Sequence, residues 1–262
     1  MSYIIICTVA LLVSGLTLFS GFGLGTLLMP AFALFFPVEV AIAATAIVHL
    51  ANNLFKVGLV GRKANAGIVL RFALPAAVTA MVGALLLNYF ATIEPIAQYT
   101  LLGRVCTISV VKLVIAVMIM GFAVIELHPV FERLAFSTRL IPLGGALSGF
   151  FGGLSGHQGA LRTAFLIRAG LDKDVFVGTM VVSAVVVDLS RLLIYGATFF
   201  SRDFAILKDQ GGIGLVIAGS LAAFAGAFIA SRFLKKITMR TIQIVVGIML
   251  FFLSIAIGTG II

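Results

Sequence analysis

Arg162 stands three residues after Gly159 in the run Gly159-Ala160-Leu161-Arg162-Thr163-Ala164-Phe165-Leu166, an apolar setting for a permanent cation. A charge at bilayer depth costs about 2.5–3.5 kcal/mol on insertion scales, so it must face a partner or a wet cavity. An anionic ligand is the partner this reading favours, and the plainer alternative is an arginine that snorkels to an interface. The preceding segment, Gly152-Gly153-Leu154-Ser155-Gly156-His157-Gln158-Gly159, interrupts a long apolar run and adds hydrogen-bonding groups at Ser155, His157 and Gln158. A second interruption, Ser20-Gly21-Phe22-Gly23-Leu24-Gly25-Thr26 with Pro30 behind it, occupies the matching place in the first half. Gly21, Gly23 and Gly25 permit close backbone approach and positive φ. A half-helix opening at Thr26 or Leu27 would aim its partial positive charge at the break, a ready anion site. Gly156 and Gly159 can do the same ahead of residues 160–169. For all these glycines the plainer reading is tight packing between helices.

A polar stripe lies further along each half. His49, Asn52, Asn53 and Lys56 share one broad helical face through i+3 and i+4 spacing, and in an apolar helix that face turns to the bundle interior. The second half holds Ser183, Asp188 and Arg191. Asp188 and Arg191, at i and i+3, pair with each other in the plainer reading; in the ligand-linked reading an incoming anion competes with Asp188 for Arg191. Thr45 and Thr179 either offer hydroxyls to a site or bond back to their own helices. His157 has the titration range for proton coupling, and no second ligand lies at metal spacing. Gly153-Leu154-Ser155-Gly156 matches the GxSG pattern of rhomboid-type intramembrane proteases, and His49-x-x-x-Asn53 their HxxxN. The serine needs a histidine base within reach; no histidine follows His157, which is poorly placed only two residues on. Walker A, HExxH and clustered carboxylates are absent from the sequence, and Gly21–Gly25 lacks the dinucleotide spacing. The expectation is a non-enzyme without metal or cofactor.

The elements that must position these residues are membrane helices. Hydrophobic residues make up 62% of the 262 and charged residues 10%, against roughly 45–50% and 25% in soluble domains, and mean hydropathy is +1.25. A spanning helix needs about 20 apolar residues. Such stretches occur at 3–36 (broken at 21–25), 38–60, 68–91, 108–127, 140–169 (broken at 152–159), 173–196, 212–234 and 240–262. The fold class is therefore all-α and polytopic, with about eight hydrophobic elements, in one transmembrane domain over 1–262. The start Met-Ser-Tyr-Ile-Ile-Ile-Cys has no basic n-region and reads as a retained first helix. Cys7 and Cys106 read as separate buried thiols. Net charge is +9, but the cations sit mainly at helix ends (Arg62, Lys63, Lys235, Lys236, Arg240) instead of forming a nucleic-acid patch. If every element crosses once, the basic loops at 61–67 and 235–240 face opposite sides, against the positive-inside rule. Either a broken element re-enters and changes the parity, or one cluster is an exception.

The two halves look duplicated, about 3–127 and 140–262. At an offset of 134, Ser14, Gly15, Gly25, Leu27, Thr45 and Val48 align with Ser148, Gly149, Gly159, Leu161, Thr179 and Val182. Identity at that level proves nothing; the shared order of features carries more, and internal repeats with paired broken segments are a transporter architecture. Gly-Phe-Gly-Leu-Gly-Thr-Leu-Leu-Met-Pro-Ala, followed by the acidic Glu39 and Ala-Ala-Thr-Ala, resembles the TauE/SafE sulfite and organosulfonate exporter family. So do Gly61-Arg62-Lys63 and Ser231-Arg232-Phe233-Leu234-Lys235-Lys236. The resemblance implies a multi-pass transporter of two four-helix halves whose substrates are sulfur-containing or organic anions. Ser155–Arg162 departs from the family's glycine-dense second break by being richer in donors and adding a cation.

The expected function is secondary transport of a small anion, by alternating access as one half rocks against the other. Its expected site is Gly21, Gly23, Gly25, Thr26, His49, Asn52, Asn53, Ser155, Gly156, His157, Gln158, Gly159, Arg162 and Arg191. A passive anion channel is the competing transport class. Expected partners are the lipid bilayer and the anion, without nucleic acid; coupling to protons or sodium and assembly as a homodimer stay open. The expected location is the plasma (inner) membrane of a prokaryote.

Overall fold

The computed structural model describes residues 1–20, 24–101, 103–128, 135–198, 211–233 and 239–262. Ten helices account for most of them: α1 Ser2–Ser20, α2 Leu24–Ala33, α3 Val38–Val60, α4 Ala66–Ala91, α5 Val110–Leu127, α6 Ile141–Ser155, α7 Gly159–Leu166, α8 Lys173–Thr198, α9 Gly212–Phe233 and α10 Met239–Gly258. Five helical stretches are long and apolar enough to cross a membrane, at 38–63, 66–91, 110–127, 173–197 and 212–230. The chain is an all-α polytopic membrane protein, as expected.

Sequence chemistry sets most of the boundaries. Pro37 precedes α3. Asn65 caps α4 by accepting the Ile68 amide at 3.0 Å, satisfying one of the orphan donors of the first turn. Ser109 does the same for α5 through the Lys112 amide. Between α4 and α5 stands an element the sequence reading did not include: an antiparallel hairpin of β1 (Ala97–Leu101) and β2 (Arg104–Ile108), turning at Gly103 with φ 77°. Its residues include Tyr99, Thr100, Val105, Thr107 and Ile108, side chains that favour strands.

Each broken element is a helical hairpin that folds back on itself. A Cβ built at Gly144, near the start of α6, falls 2.2 Å from Phe165 at the end of α7, and one at Gly152 falls 2.9 Å from Gln158. So α7 returns along α6. In the first half, α1 runs alongside α3 in the same direction, Ser14 meeting Asn52. α2 begins beside His49, in the middle of α3, and ends at the turn that feeds the start of α3, so it runs back against α1. The parity conflict raised by the basic loops disappears with this geometry. α9 runs parallel to α3, with Phe55 stacked on Phe224 at 5.1 Å, so the end of α9 and the 61–65 turn share one face. Lys63 and Asp174 bridge two turns on that face at 2.5 Å. Lys235 and Lys236 lie outside the described residues.

The helix seams explain several glycines as packing residues. Along the parallel pair α4 and α6, Cβ atoms at Gly149 and Gly153 would fall 2.1 and 2.0 Å from the carbonyl oxygens of Ala76 and Ala80. No side chain fits there, and the small residues let the backbones touch. Gly152 and Gly153 are therefore helical, and the second break is confined to Gly156–Gln158 instead of 152–159. α1 packs on α9 in the same parallel manner, with Gly226 against the Leu11 carbonyl. α5 packs on α10 and α3 on α8.

Candidate functional site

The tips of the two hairpins meet. A Cβ at Gly25 would lie 3.2 Å from the Gly156 carbonyl oxygen and 3.6 Å from the His49 ring. Gly156 makes this possible by ending α6 in the left-handed region, with φ 83°, which costs glycine nothing. α2 opens at Leu24, two residues earlier than the expected Thr26, so Gly25 and Thr26 form its first turn. Gly21 and Gly23 lie outside the described residues.

Asp188 is the centre of the site. It sits on α8 fully buried, and both its oxygens are saturated. Oδ2 accepts the His49 Nδ1–H at 2.6 Å and the Asn53 amide at 2.9 Å. Oδ1 accepts from Gln158 Nε2 at 2.9 Å, Arg191 Nε at 3.1 Å and Arg191 Nη2 at 2.7 Å. Arg191 also donates to the Gly152 carbonyl at 3.1 Å, and Tyr195 donates to the Gly153 carbonyl. Gln158 passes the connection on, its Oε1 accepting Arg162 Nη1 at 2.9 Å. One network thus joins α3, α8 and the second hairpin tip. The sequence reading paired Asp188 with Arg191 and set the carboxylate against an incoming anion, but did not foresee His49, Asn53 and Gln158 around it.

Charge does not balance around this network. Arg162, Arg191 and Lys56 are 2%, 0% and 4% exposed. Lys56 lies within electrostatic range of Arg162, as Arg162 and Arg191 do of His49. Asp188 is the one carboxylate bonded into the network among the described residues. With Glu126 buried nearby as well, three buried cations face two carboxylates among the described residues, an excess of positive charge that a buried site tolerates only with a compensating anion or water.

The other expected residues fall around this centre in distinct roles. Asn52 accepts the Ser14 hydroxyl at 3.1 Å, and its Nδ2 is buried with no hydrogen-bond partner among the described residues. Thr45 Oγ1 and Ser183 Oγ are in the same state. Thr179, by contrast, accepts the Asn65 amide at 3.0 Å near the 61–65 turn, away from the site. Ser148 donates to the Gln158 carbonyl at 2.8 Å and braces the tip. His157 turns toward α5, its ring stacked on Phe122 with centroids 5.4 Å apart. Thr26, Gly159 and His157 line a cavity with Phe122, Glu126, Ala160 and Leu250, sized for about one water. Glu126 was not singled out from sequence; the available signal was an acidic residue closing an otherwise apolar helix.

The protease-like pair has the wrong roles despite its proximity. His157 Nδ1 lies 3.2 Å from Ser155 Oγ, closer than the spacing suggested. That nitrogen's proton goes to the Ser155 carbonyl oxygen at 2.9 Å, and the Ser155 hydroxyl donates to the Phe151 carbonyl at 3.0 Å. A base must accept the nucleophile's proton, and here Nδ1 is a donor. His49, the histidine of the HxxxN pattern, bonds Asp188.

The family model described as Sulfite exporter TauE/SafE matches residues 5–257. No curated protein and no solved structure matches the chain.

Proposed function

Because the chain belongs to the TauE/SafE sulfite exporter family, we propose that it carries a small sulfur-containing or organic anion across the membrane, bound where the two hairpin tips meet. The observation that carries this reading is the excess of buried cations, Lys56, Arg162 and Arg191 against Asp188 and Glu126. Arg162 and Lys56 supply charge, and Asn52 and the first amides of α2 and α7 supply hydrogen bonds. Asp188 stands in for the anion in this conformation: His49, Asn53, Gln158 and Arg191 all donate to it. An arriving anion takes over part of that donor set.

Two pseudo-repeated halves are supported by how the helices pair. α1 packs on α9 as α6 packs on α4, α10 pairs with α5, and α3 with α8, so exchanging the halves preserves the pattern. The buried serines at the matched positions 14 and 148 each brace a polar residue of the site. These pairings cross the sequence midpoint, so simple rocking of one half on the other would break both glycine seams. The moving units are instead the cross-packed pairs α1 with α9 and α4 with α6, sliding past each other at the tips. A closed contact at Gly25 and Gly156 favours alternating access over a continuously open channel.

Orientation follows from charge. Arg62, Lys63, Arg71, Arg139, Arg168, Lys173 and Arg232 lie toward one face, and Arg104 and Lys112 toward the other, among the described residues. The positive-inside rule makes the first face cytoplasmic.

Thermal unfolding of the purified protein against sulfite, sulfate, thiosulfate, a taurine-like sulfonate and short carboxylates tests the proposal. A ligand held at 100 times its dissociation constant stabilises the native state by about 2.7 kcal/mol. The expected result is a selective shift for one anion class that vanishes in Arg162→Ala; the same shift in the parent and the variant would sink it.

A further inference from the structure

We infer that Glu126 and His157 form a proton-binding site beside the anion pocket, through which anion movement is coupled to proton movement in the same direction. The inference rests on the anion-transport reading above. Glu126 is only 4% exposed, and it lines the same cavity as His157. The ring of His157 lies nearly flat on Phe122, 15° from parallel, and Phe122 precedes Glu126 by one helical turn on the same face. The ring is therefore held against the stretch of α5 that carries the carboxylate.

The tautomer of His157 follows from its contacts. Nδ1 donates to the Ser155 carbonyl oxygen at 2.9 Å, so in the neutral ring Nε2 bears the lone pair. Nε2 is buried without a hydrogen-bond partner among the described residues. A bare base in a closed interior calls for an explanation, and a water-sized cavity shared with a carboxyl group supplies one. Starting from the Glu126 carboxylate and neutral His157, one proton taken up from water is held on the carboxylate or, across that cavity, on the Nε2 lone pair; the site gains one positive charge and no other bond changes.

Coupling to the anion is electrostatic and local. His157 lies within electrostatic range of Arg191, and the next residue, Gln158, bonds both Asp188 and Arg162. The proton taken up by the Glu126–His157 pair adds one positive charge beside the anion-holding cations, so proton and anion favour each other's binding, and linkage makes that reciprocal. The chargeable groups on the surrounding elements are few. α5 contributes Lys112 at its far end and His128 just past Leu127, the second hairpin Arg162, α3 His49 and Lys56, and α8 Asp188 and Arg191. α2 and the described side chains of α10 contribute none.

The test compares the parent protein with Glu126→Gln in proteoliposomes, using sulfite as the probe. Counterflow, with sulfite on both sides, reports binding and turnover without net proton movement; accumulation driven by an imposed pH gradient requires the coupling. Glu126→Gln is expected to keep counterflow while losing gradient-driven accumulation by about tenfold or more, with Glu126→Asp intermediate. Infrared difference spectra between acidic and neutral pH supply a reading that needs no substrate: a buried carboxylic-acid band present in the parent and absent from Glu126→Gln. Accumulation equal to the parent's, loss of counterflow together with accumulation, or no such band would each overturn the inference. A parent that exchanges no sulfite would instead count against the transport reading, while the infrared band still decides whether Glu126 titrates.

Discussion

Replacing Asp188 with asparagine separates the two jobs proposed for that carboxylate, neutralising Arg191 and holding the donors of the anion site. Asp188 and Arg191 are both fully buried, and the guanidinium directs Nε and Nη2 at one carboxylate oxygen. Asp188→Asn keeps the shape but strands the Arg191 charge, which is left with uncharged partners such as the Gly152 carbonyl. Removing one partner of a buried ion pair costs about 3–5 kcal/mol. The variant should unfold at clearly lower temperature in detergent, and Asp188→Asn/Arg191→Met should recover part of the loss because the stranded charge is gone. The donors that Asp188 holds in the parent become available to an external anion. Sulfite should therefore raise the unfolding temperature of the single variant by more than it raises the parent's, offsetting up to about 2.7 kcal/mol at 100 times its dissociation constant. A variant as stable as the parent, or one that sulfite stabilises no further than the parent, would refute this account of the network.

Other perturbations probe its separate parts. Gly153→Leu should cost at least the upper end of the roughly 1–3 kcal/mol typical of overpacking, because a Cβ there already meets the Ala80 carbonyl at 2.0 Å. Gly196→Ala, with nothing within 4 Å, should be silent; size-exclusion profiles after solubilisation check both. Lys56→Met should weaken anion binding measured by the same thermal shift while leaving the Asp188 network in place, and an unchanged shift would remove Lys56 from the site. Ser155→Ala should leave sulfite exchange within about 1 kcal/mol of the parent, since its hydroxyl serves its own helix at the modest net worth of one hydrogen bond. In a chain stripped of Cys7 and Cys106, a cysteine at Arg62 should react with an impermeant thiol reagent from the cytoplasmic side and one at Thr92 from the opposite side.

Much of this was legible in the residues themselves. Apolar runs of the right length marked the helices, and the i+3 and i+4 stripe His49, Asn52, Asn53, Lys56 marked the inward face of α3; all four are buried. The two breaks were visible because glycine clusters interrupt apolar runs. Their extent was not: Gly152 and Gly153 have the composition of a break, yet they serve a seam whose partner, Ala80, lies far away in sequence. The direction of α7 was hidden for a similar reason, since a short helix that returns and one that continues have the same apolar pattern. Asp188 gave only its local signal, the i+3 arginine, while His49, Asn53 and Gln158 reach it from 139, 135 and 30 residues away. In the hairpin at 97–108, β1 is exposed throughout, so that strand had no buried face to give it periodicity.

The most direct test of the central claim is counterflow of radiolabelled sulfite in proteoliposomes containing either the parent or Arg162→Ala. An anion site at the meeting hairpin tips predicts saturable exchange in the parent, and a loss in the variant that follows from removing one of three buried cations. Exchange in Arg162→Ala with the parent's rate and saturation would contradict it.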